Sequence, residues 1–305
     1  MTKKITKLSK ESGIIYEFNK ENEPIARVTP GTTVTIETYD CFEDQIQSED
    51  TVIDKIDWNR INPATGPIYI EGAEPGDILQ VKIEKIDIND QGVMVVVPEL
   101  GVMGDSIEKM EAKIMKIKDD KVLTNGVEAP LTKMVGVIGV APEGEGVNCG
   151  TPGAHGGNMD NTLVKEGATL YFPVAAEGAL FALGDLHAAM GDGEVSGSGV
   201  EIAGEVTVTF DVIKGEKIEQ PMLENKDSFS QIASAETLDE AAKMATTLMI
   251  ERIAEKSGRP ISEVTMLMSM NAQLEIGQVV NPLKTARLVV PKWLLKQLGI
   301  NLIEQ

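Results

Sequence analysis

The chain is poor in the residues that most often announce chemistry. Among its 305 residues there are two histidines, two cysteines, and only 4% aromatics. Cys41 and Cys149 are far apart in sequence and neither belongs to a C-x-x-C pair. That excludes a disulfide framework and a thiolate zinc knuckle, and it fits a reduced compartment. So few aromatic rings leave no stacking platform for single-stranded nucleic acid. Long apolar runs are also missing. "VMVVVPELGVM" is broken by Pro98 and Gly101 well short of the roughly 20 residues that span a bilayer, and "MTKKITKLSKE" has no apolar signal core after its lysines. The expected location is the cytoplasm. Positive charge is scarce as well: 28 basic against 48 acidic residues give a formal charge of −20. Such a surface repels phosphate backbones and anionic lipid, so neither nucleic acid nor a membrane is an expected partner. A small neutral substrate meets no such barrier.

Gly and Pro are abundant between residues 25 and 220, with short alternating runs between them, which is the pattern of an all-β region. In "EVTVTFDVI" the residues Val206, Val208, Phe210 and Val212 alternate with polar ones, as a half-buried strand requires. "DILQVKIEKI" repeats the pattern, and "GVMVVVP" is apolar on both faces and is expected in the middle of a sandwich. "GVIGVAPEGEG" lacks the G-x-G-x-x-G spacing of a dinucleotide loop and reads as strand plus turn. Composition changes near residue 221. Thr237 with Glu240 three residues later forms a capping-box pattern, and Gly258 with Pro260 supplies stop signals, so a helix is expected between them. A second helix is expected from Ser262, with Met266, Met268 and Met270 as a core-facing stripe. A strand at "ARLVV" and a terminal helix with Pro291 in its first turn complete the reading. The fold class is therefore mainly β, sandwich- or barrel-like, with a C-terminal α+β part. Three segments are expected: a β-sandwich-like part at 1–130, a Gly-rich β part carrying the site at 131–220, and the α+β part at 221–305.

Both histidines fall in the Gly-rich middle. In "GDLHAAMGDGEVSGSG" (184–199), Asp185 and His187 are two residues apart, which in extended backbone points both side chains to one face. Asp192 and Glu194 repeat that relation beyond a turn at Gly191–Gly193. Together they could form half of a divalent-metal site suited to zinc, iron or manganese. A solvated glycine-rich loop is the plain alternative. Upstream, "NCGTPGAHGGNMDN" holds His155, Asn158 and Asp160. Its glycines allow backbone to approach a ligand closely.

Five blocks carry a resemblance: "NPATGPIYIEGAEPGD" (62–77), "GVIGVAP" (136–142), "GGNMD" (156–160), "YFPVAAEGALFALGDLHAAMGDGE" (171–194) and "EIAGEVTVTFDV" (201–212). Through them most of the chain resembles the acetamidase/formamidase family of amide hydrolases. The resemblance implies a mainly β fold with a smaller α+β part, hydrolysis of short aliphatic amides to carboxylate and ammonia, and a dimer or larger homo-oligomer. It also implies a divalent metal, zinc first, with iron, manganese and calcium still open. The family's G-G-N-x-D falls on Asn158 and Asp160, G-D-L-H on Asp185 and His187, and G-D-G-E on Asp192 and Glu194. His155 stands where the formamidase branch commonly has another residue, and it is placed at the substrate rim with Asn158. Met190 replaces the glutamine usual in that branch and reads as a pocket or packing difference.

An amide needs an activated water, a partner for the tetrahedral oxyanion and an acid for the leaving nitrogen; a metal supplies the first two and a nearby carboxylate the third. The expected ligands are Asp160, Asp185 and His187. Glu194 is the expected base, and Asp192 orients a ligand from behind. No G-x-S-x-G elbow is present, which argues against a serine hydrolase. Cys149 offers a thiol-dependent amidase as an alternative, and Cys41 has Asp40, Glu43 and Asp44 beside it as acids that could face the site. A non-catalytic β domain holding a cation, calcium included, or a small polar ligand is the reading from another class.

Overall fold

The computed structural model describes residues 6–51, 55–124 and 126–304. Its framework is two large sheets. A nine-stranded sheet runs in the order Thr6–Leu8, Thr33–Thr38, Gly204–Ile213, Ile78–Ile88, Thr169–Pro173, Met222–Glu224, Ser228–Ala235, Lys284–Pro291, Gln273–Gln278. Only the first pair is parallel. An eleven-stranded sheet has Phe181–His187 near its middle, flanked by Met134–Gly139, Glu201–Ile202 and Ala64–Ile70. The inner faces of both sheets meet in one apolar cluster that includes Ile36, Val81 and Phe210 from one sheet and Val135, Leu183 and Leu186 from the other. That is a sandwich, and its alternation follows the pleat: Val206, Val208 and Phe210 are buried while Thr207 and Thr209 are only half-buried. The nine-stranded sheet draws strands from all three segments drawn from composition, so shared hydrogen-bond ladders tie them together.

The C-terminal part carries three α-helices among the described residues: Leu238–Ser257, Ile261–Asn271 and Lys292–Leu298. Thr237 caps the first through a complete capping box with Glu240, and Gly258 closes it in a left-handed conformation. The apolar stripe Met249, Ile253 and Val264 packs with Leu288 and Val290 of the adjoining strand.

Local details differ from the sequence reading. The methionine stripe does not exist: Met268 is 4% exposed, while Met266 and Met270 are 63% and 76% exposed. Helical periodicity is the reason, because residues two apart lie on different faces and only Val264 and Met268 share the buried one. Pro291 precedes the terminal helix as its N-cap instead of sitting in its first turn. Strand Gln91–Val96 buries Val93 and Val95 but leaves Met94 and Val96 half-buried, so it is not enclosed on both faces.

Candidate metal centre

The strand Phe181–His187 delivers the two central groups, and it does so by an irregularity. Plain extended backbone would bring Asp185 and His187 to one face. Instead Asp185 has φ 55°, and the ladder to the neighbouring strand pairs Leu186 with Val135 and Gly184 with Val137, passing over Asp185 and Gly136. At this kink the Asp185 carboxylate and the imidazole still converge: His187 Nε2 lies 3.5 Å from Asp185 Oδ1. The same nitrogen is 3.9 Å from Asp160 Oδ1 and 3.2 Å from Glu201 Oε2.

Glu194 completes the cluster. Asp160, His187 and Glu194 each present one donor atom within 4.8 Å of the others, and all three are buried. Asp160 and Glu194 also have left-handed backbone, φ 40° and 47°. Non-glycine residues in this region carry strain that the surrounding structure must hold in place, and such strain gathers at functional sites. Gly136 makes room: a Cβ there would lie 2.5 Å from Asp160 Oδ1 and 2.5 Å from Asp185 Oδ2. Gly199 does the same for the imidazole, where a Cβ would sit 2.5 Å from His187 Nδ1.

Four carboxylates around one imidazole, all out of water, shift one another. Burial, then Asp185, raises Asp160 to about 6. Burial raises Glu201 to about 7 and, with Asp160 beside it, holds Glu194 well above the usual carboxylate range. Burial also opposes ionisation of Asp185 and of His187, but their mutual attraction, helped by Glu201 on the imidazole, lowers Asp185 and raises His187 well above an ordinary histidine.

The donor set fits a cation. Among the described residues neither nitrogen of His187 makes an aligned hydrogen bond, nor do Asp160 Oδ1 and Glu201 Oε2; Nε2 has only the carboxylate contacts at 3.2, 3.5 and 3.9 Å. Buried polar atoms are otherwise almost always paired, and imidazole with carboxylate oxygens is the ligand chemistry of zinc and its first-row neighbours. The remaining oxygen of Asp160 is spoken for: Asn281 Nδ2 donates to Asp160 Oδ2 at 2.6 Å and to the Asn158 carbonyl at 3.0 Å.

Of the residues singled out from sequence, Asp160, Asp185, His187 and Glu194 come together. Asp192 does not join them. Gly193, φ 96°, and Glu194 turn the chain, so Glu194 points in while Asp192 Oδ2 accepts from Arg287 Nη2 at 2.6 Å and its Oδ1 accepts from Thr162 Oγ1 at 2.7 Å. Asn158 is buried beside Asp160 with Oδ1 unpartnered. His155 is buried edge-on against Phe18 and lines a cavity of about 790 Å³ with Thr151 and Leu283; burial lowers its pKa to about 4. Met190 is half-buried and lines another cavity of about 550 Å³ with Thr162 and Asp192. Cys149 packs with Phe18, Ala64 and Val137, its thiol 3.5 Å from the Ile15 carbonyl, and burial pushes its pKa up, the opposite of an activated nucleophile.

Sequence reasoning missed Glu201, Asn281 and the placement of Cys41. The acids beside Cys41 are engaged elsewhere: Asp40 Oδ1 caps the backbone N–H groups of Phe42 and Asp44, Glu43 pairs with Arg60 and Tyr16, and Asp44 pairs with Lys10. It is the Cys41 thiol that faces the cluster, in a buried group with Asp185 and Glu201. "EIAG" offered Glu201 as the one acid in an apolar strand, a usable signal. Nothing local marks Asn281.

A model of the acetamidase/formamidase family matches residues 6–149 and 143–241. A formamidase of Methylophilus methylotrophus is 26% identical over 250 residues, covering 62% of this chain and 61% of that protein. The chain spans about three-fifths of the length of the curated relatives it matches. Among solved structures, a recombinant predicted acetamidase/formamidase of the thermophile Thermoanaerobacter tengcongensis superposes with TM-score 0.95 at 48% identity, covering 97% of this chain and 99% of the other. An acetamidase of Bacillus halodurans gives TM-score 0.94 at 48% identity, covering 96% and 100%. With a family model spanning more than half its length and a fold shared almost end to end with such proteins, this chain belongs to the acetamidase/formamidase family.

Proposed function

We propose that the chain hydrolyses short neutral amides of the formamide and acetamide class to carboxylate and ammonia, with a divalent cation, zinc first, held by Asp160, Asp185 and His187. The observation that carries this reading is the convergence of four buried carboxylates on one imidazole whose nitrogens have no other partner. When bound, the cation supplies positive charge that lowers the pKa of a water and polarises the amide carbonyl.

The chain's own residues do the rest. Asn281 fixes one oxygen of Asp160 and leaves the other free to ligate. Glu194, held protonatable by burial, takes the proton of the attacking water as the C–O bond forms. It returns that proton to the departing nitrogen as the C–N bond breaks, so the carboxylate ends in its starting state. Asn158, with an open side-chain oxygen, is the acceptor assigned to the substrate N–H, and His155, kept neutral, lies at the rim. Every central side chain is at most 6% exposed, so the reacting groups are held out of bulk water.

Incubation with formamide and acetamide, with ammonia measured before and after chelation and after zinc is restored, tests the reading. Release that disappears on chelation and returns with zinc is the expected result. A folded, metal-loaded sample that releases no ammonia from any short amide overturns it in favour of a cation-binding domain without catalysis.

A further inference from the structure

We propose that the site holds a second thiophilic dication, of the zinc class, between Cys41, Glu201 and a shared Asp185. Cys41, Asp185 and Glu201 each offer a donor atom within 4.8 Å of the others, and all three are buried. This group adjoins the Asp160–His187–Glu194 group: His187 Nε2 is 3.5 Å from Asp185 Oδ1 and 3.2 Å from Glu201 Oε2. Asp185 therefore stands between the two.

Two further observations point the same way. Glu201 Oε2 is fully buried inside this cluster and makes no aligned hydrogen bond among the described residues, with His187 Nε2 3.2 Å away in ion-pair contact, while Ser198 Oγ already occupies Oε1 at 3.2 Å. The second is the number of donors: Asp160, Asp185, Glu194 and Glu201 are all buried around one imidazole, so a single cation on Asp160, Asp185 and His187 leaves buried carboxylate oxygens to spare beside Cys41. A thiolate with carboxylates selects zinc-like ions over calcium or magnesium, whose ligands are oxygens.

The turn that carries Cys41 is built to hold the thiol still. Asp40 Oδ1 accepts from the Phe42 N–H at 2.9 Å and from the Asp44 N–H at 2.8 Å, and the Cys41 carbonyl accepts from the Asn62 N–H at 2.8 Å. Cys41 belongs to an apolar cluster with Phe42, Ile46 and Val93, while its sulfur lies in the buried donor group with Asp185 and Glu201.

This inference rests on the cation reading of the Asp160–His187 group, and the test separates the two. Purified protein is reconstituted with zinc and, separately, with cobalt. Metal is counted per chain, the zinc shell is probed by X-ray absorption, and the cobalt form is scanned for thiolate-to-cobalt charge transfer. Expected are two ions per chain in wild type, a sulfur in the zinc shell and a charge-transfer band. Cys41→Ser should lose one ion, the sulfur and the band, and His187→Asn should keep the sulfur and the band. Wild type with one ion and no sulfur, or two ions and no sulfur, overturns the Cys41 site and leaves the first reading standing. Wild type with no ion overturns both. The absorption measurement needs no variant, so a Cys41→Ser protein that fails to fold does not blunt it.

Discussion

Asn281 Nδ2 donates to Asp160 Oδ2 at 2.6 Å across 121 positions of sequence. A residue of the C-terminal α+β part thereby aims a carboxylate of the β sandwich, and the same amide steadies the backbone at Asn158. Groups that hold a ligand in this way typically govern affinity by 10–100-fold, roughly. Asn281→Ala should weaken zinc binding by about that factor in a chelator competition, with the fold unchanged by circular dichroism. Unaltered affinity would show that Asp160 needs no such brace.

Glu194→Gln keeps the shape of the side chain and removes its ability to carry a proton. Loss of a general acid–base group costs roughly 10²–10⁴ in rate. Ammonia release should fall within that range while metal content stays at the wild-type level. If the metal leaves with the carboxylate, Glu194 is a ligand and the proton carrier must be sought elsewhere.

Gly136 is the floor beneath two carboxylates. A methyl group at that position would stand 2.5 Å from an oxygen of each and 3.0 Å from the Asp185 carbonyl. Gly136→Ala should therefore push Asp160 and Asp185 apart, abolish zinc binding and lower the melting temperature. Gly144→Ala, where a Cβ meets nothing within 4 Å, is the control expected to match wild type in both. Equal metal content in the two variants contradicts the assigned geometry.

His155 gives the fold an acid-sensitive side. Burial lowers its pKa from 6.5 to about 4, so between those values the unfolded chain binds a proton that the native one refuses. Stability therefore falls as pH drops from about 6.5 toward 4, by at most about 3.5 kcal/mol at roughly 1.4 kcal/mol per pKa unit. Urea midpoints across that window should decline less steeply in His155→Gln than in wild type. Parallel curves would place the acid sensitivity on other groups.

Much of the scaffold was legible because its signals are local. The capping box at Thr237 and the alternation at Val206–Phe210 each state their element within a few residues. The methionine stripe is absent because Met266, Met268 and Met270 lie on a helix, where 3.6 residues per turn send alternate positions to different faces. At the site, Asp160, Asp185, His187 and Glu194 stood out through their spacing and the family pattern. Asp192 looked equivalent to Glu194 in sequence, and one left-handed turn sends it outward to Arg287. Cys41 and Asn281 reach the centre through contacts that no window of a single sequence contains, whereas Glu201 carries a local mark as the one acid of an apolar strand that pairs with His187.

The left-handed backbone at Asp160, Asp185 and Glu194 sets a conflict for anyone improving this protein. Glycine at any of the three would relax the main chain, and asparagine would sit there more easily than glutamate. A laboratory selection that rewards heat resistance alone would accept those replacements and return a hardier, disarmed molecule. Only a screen that demands turnover and endurance together would keep all three acids in place.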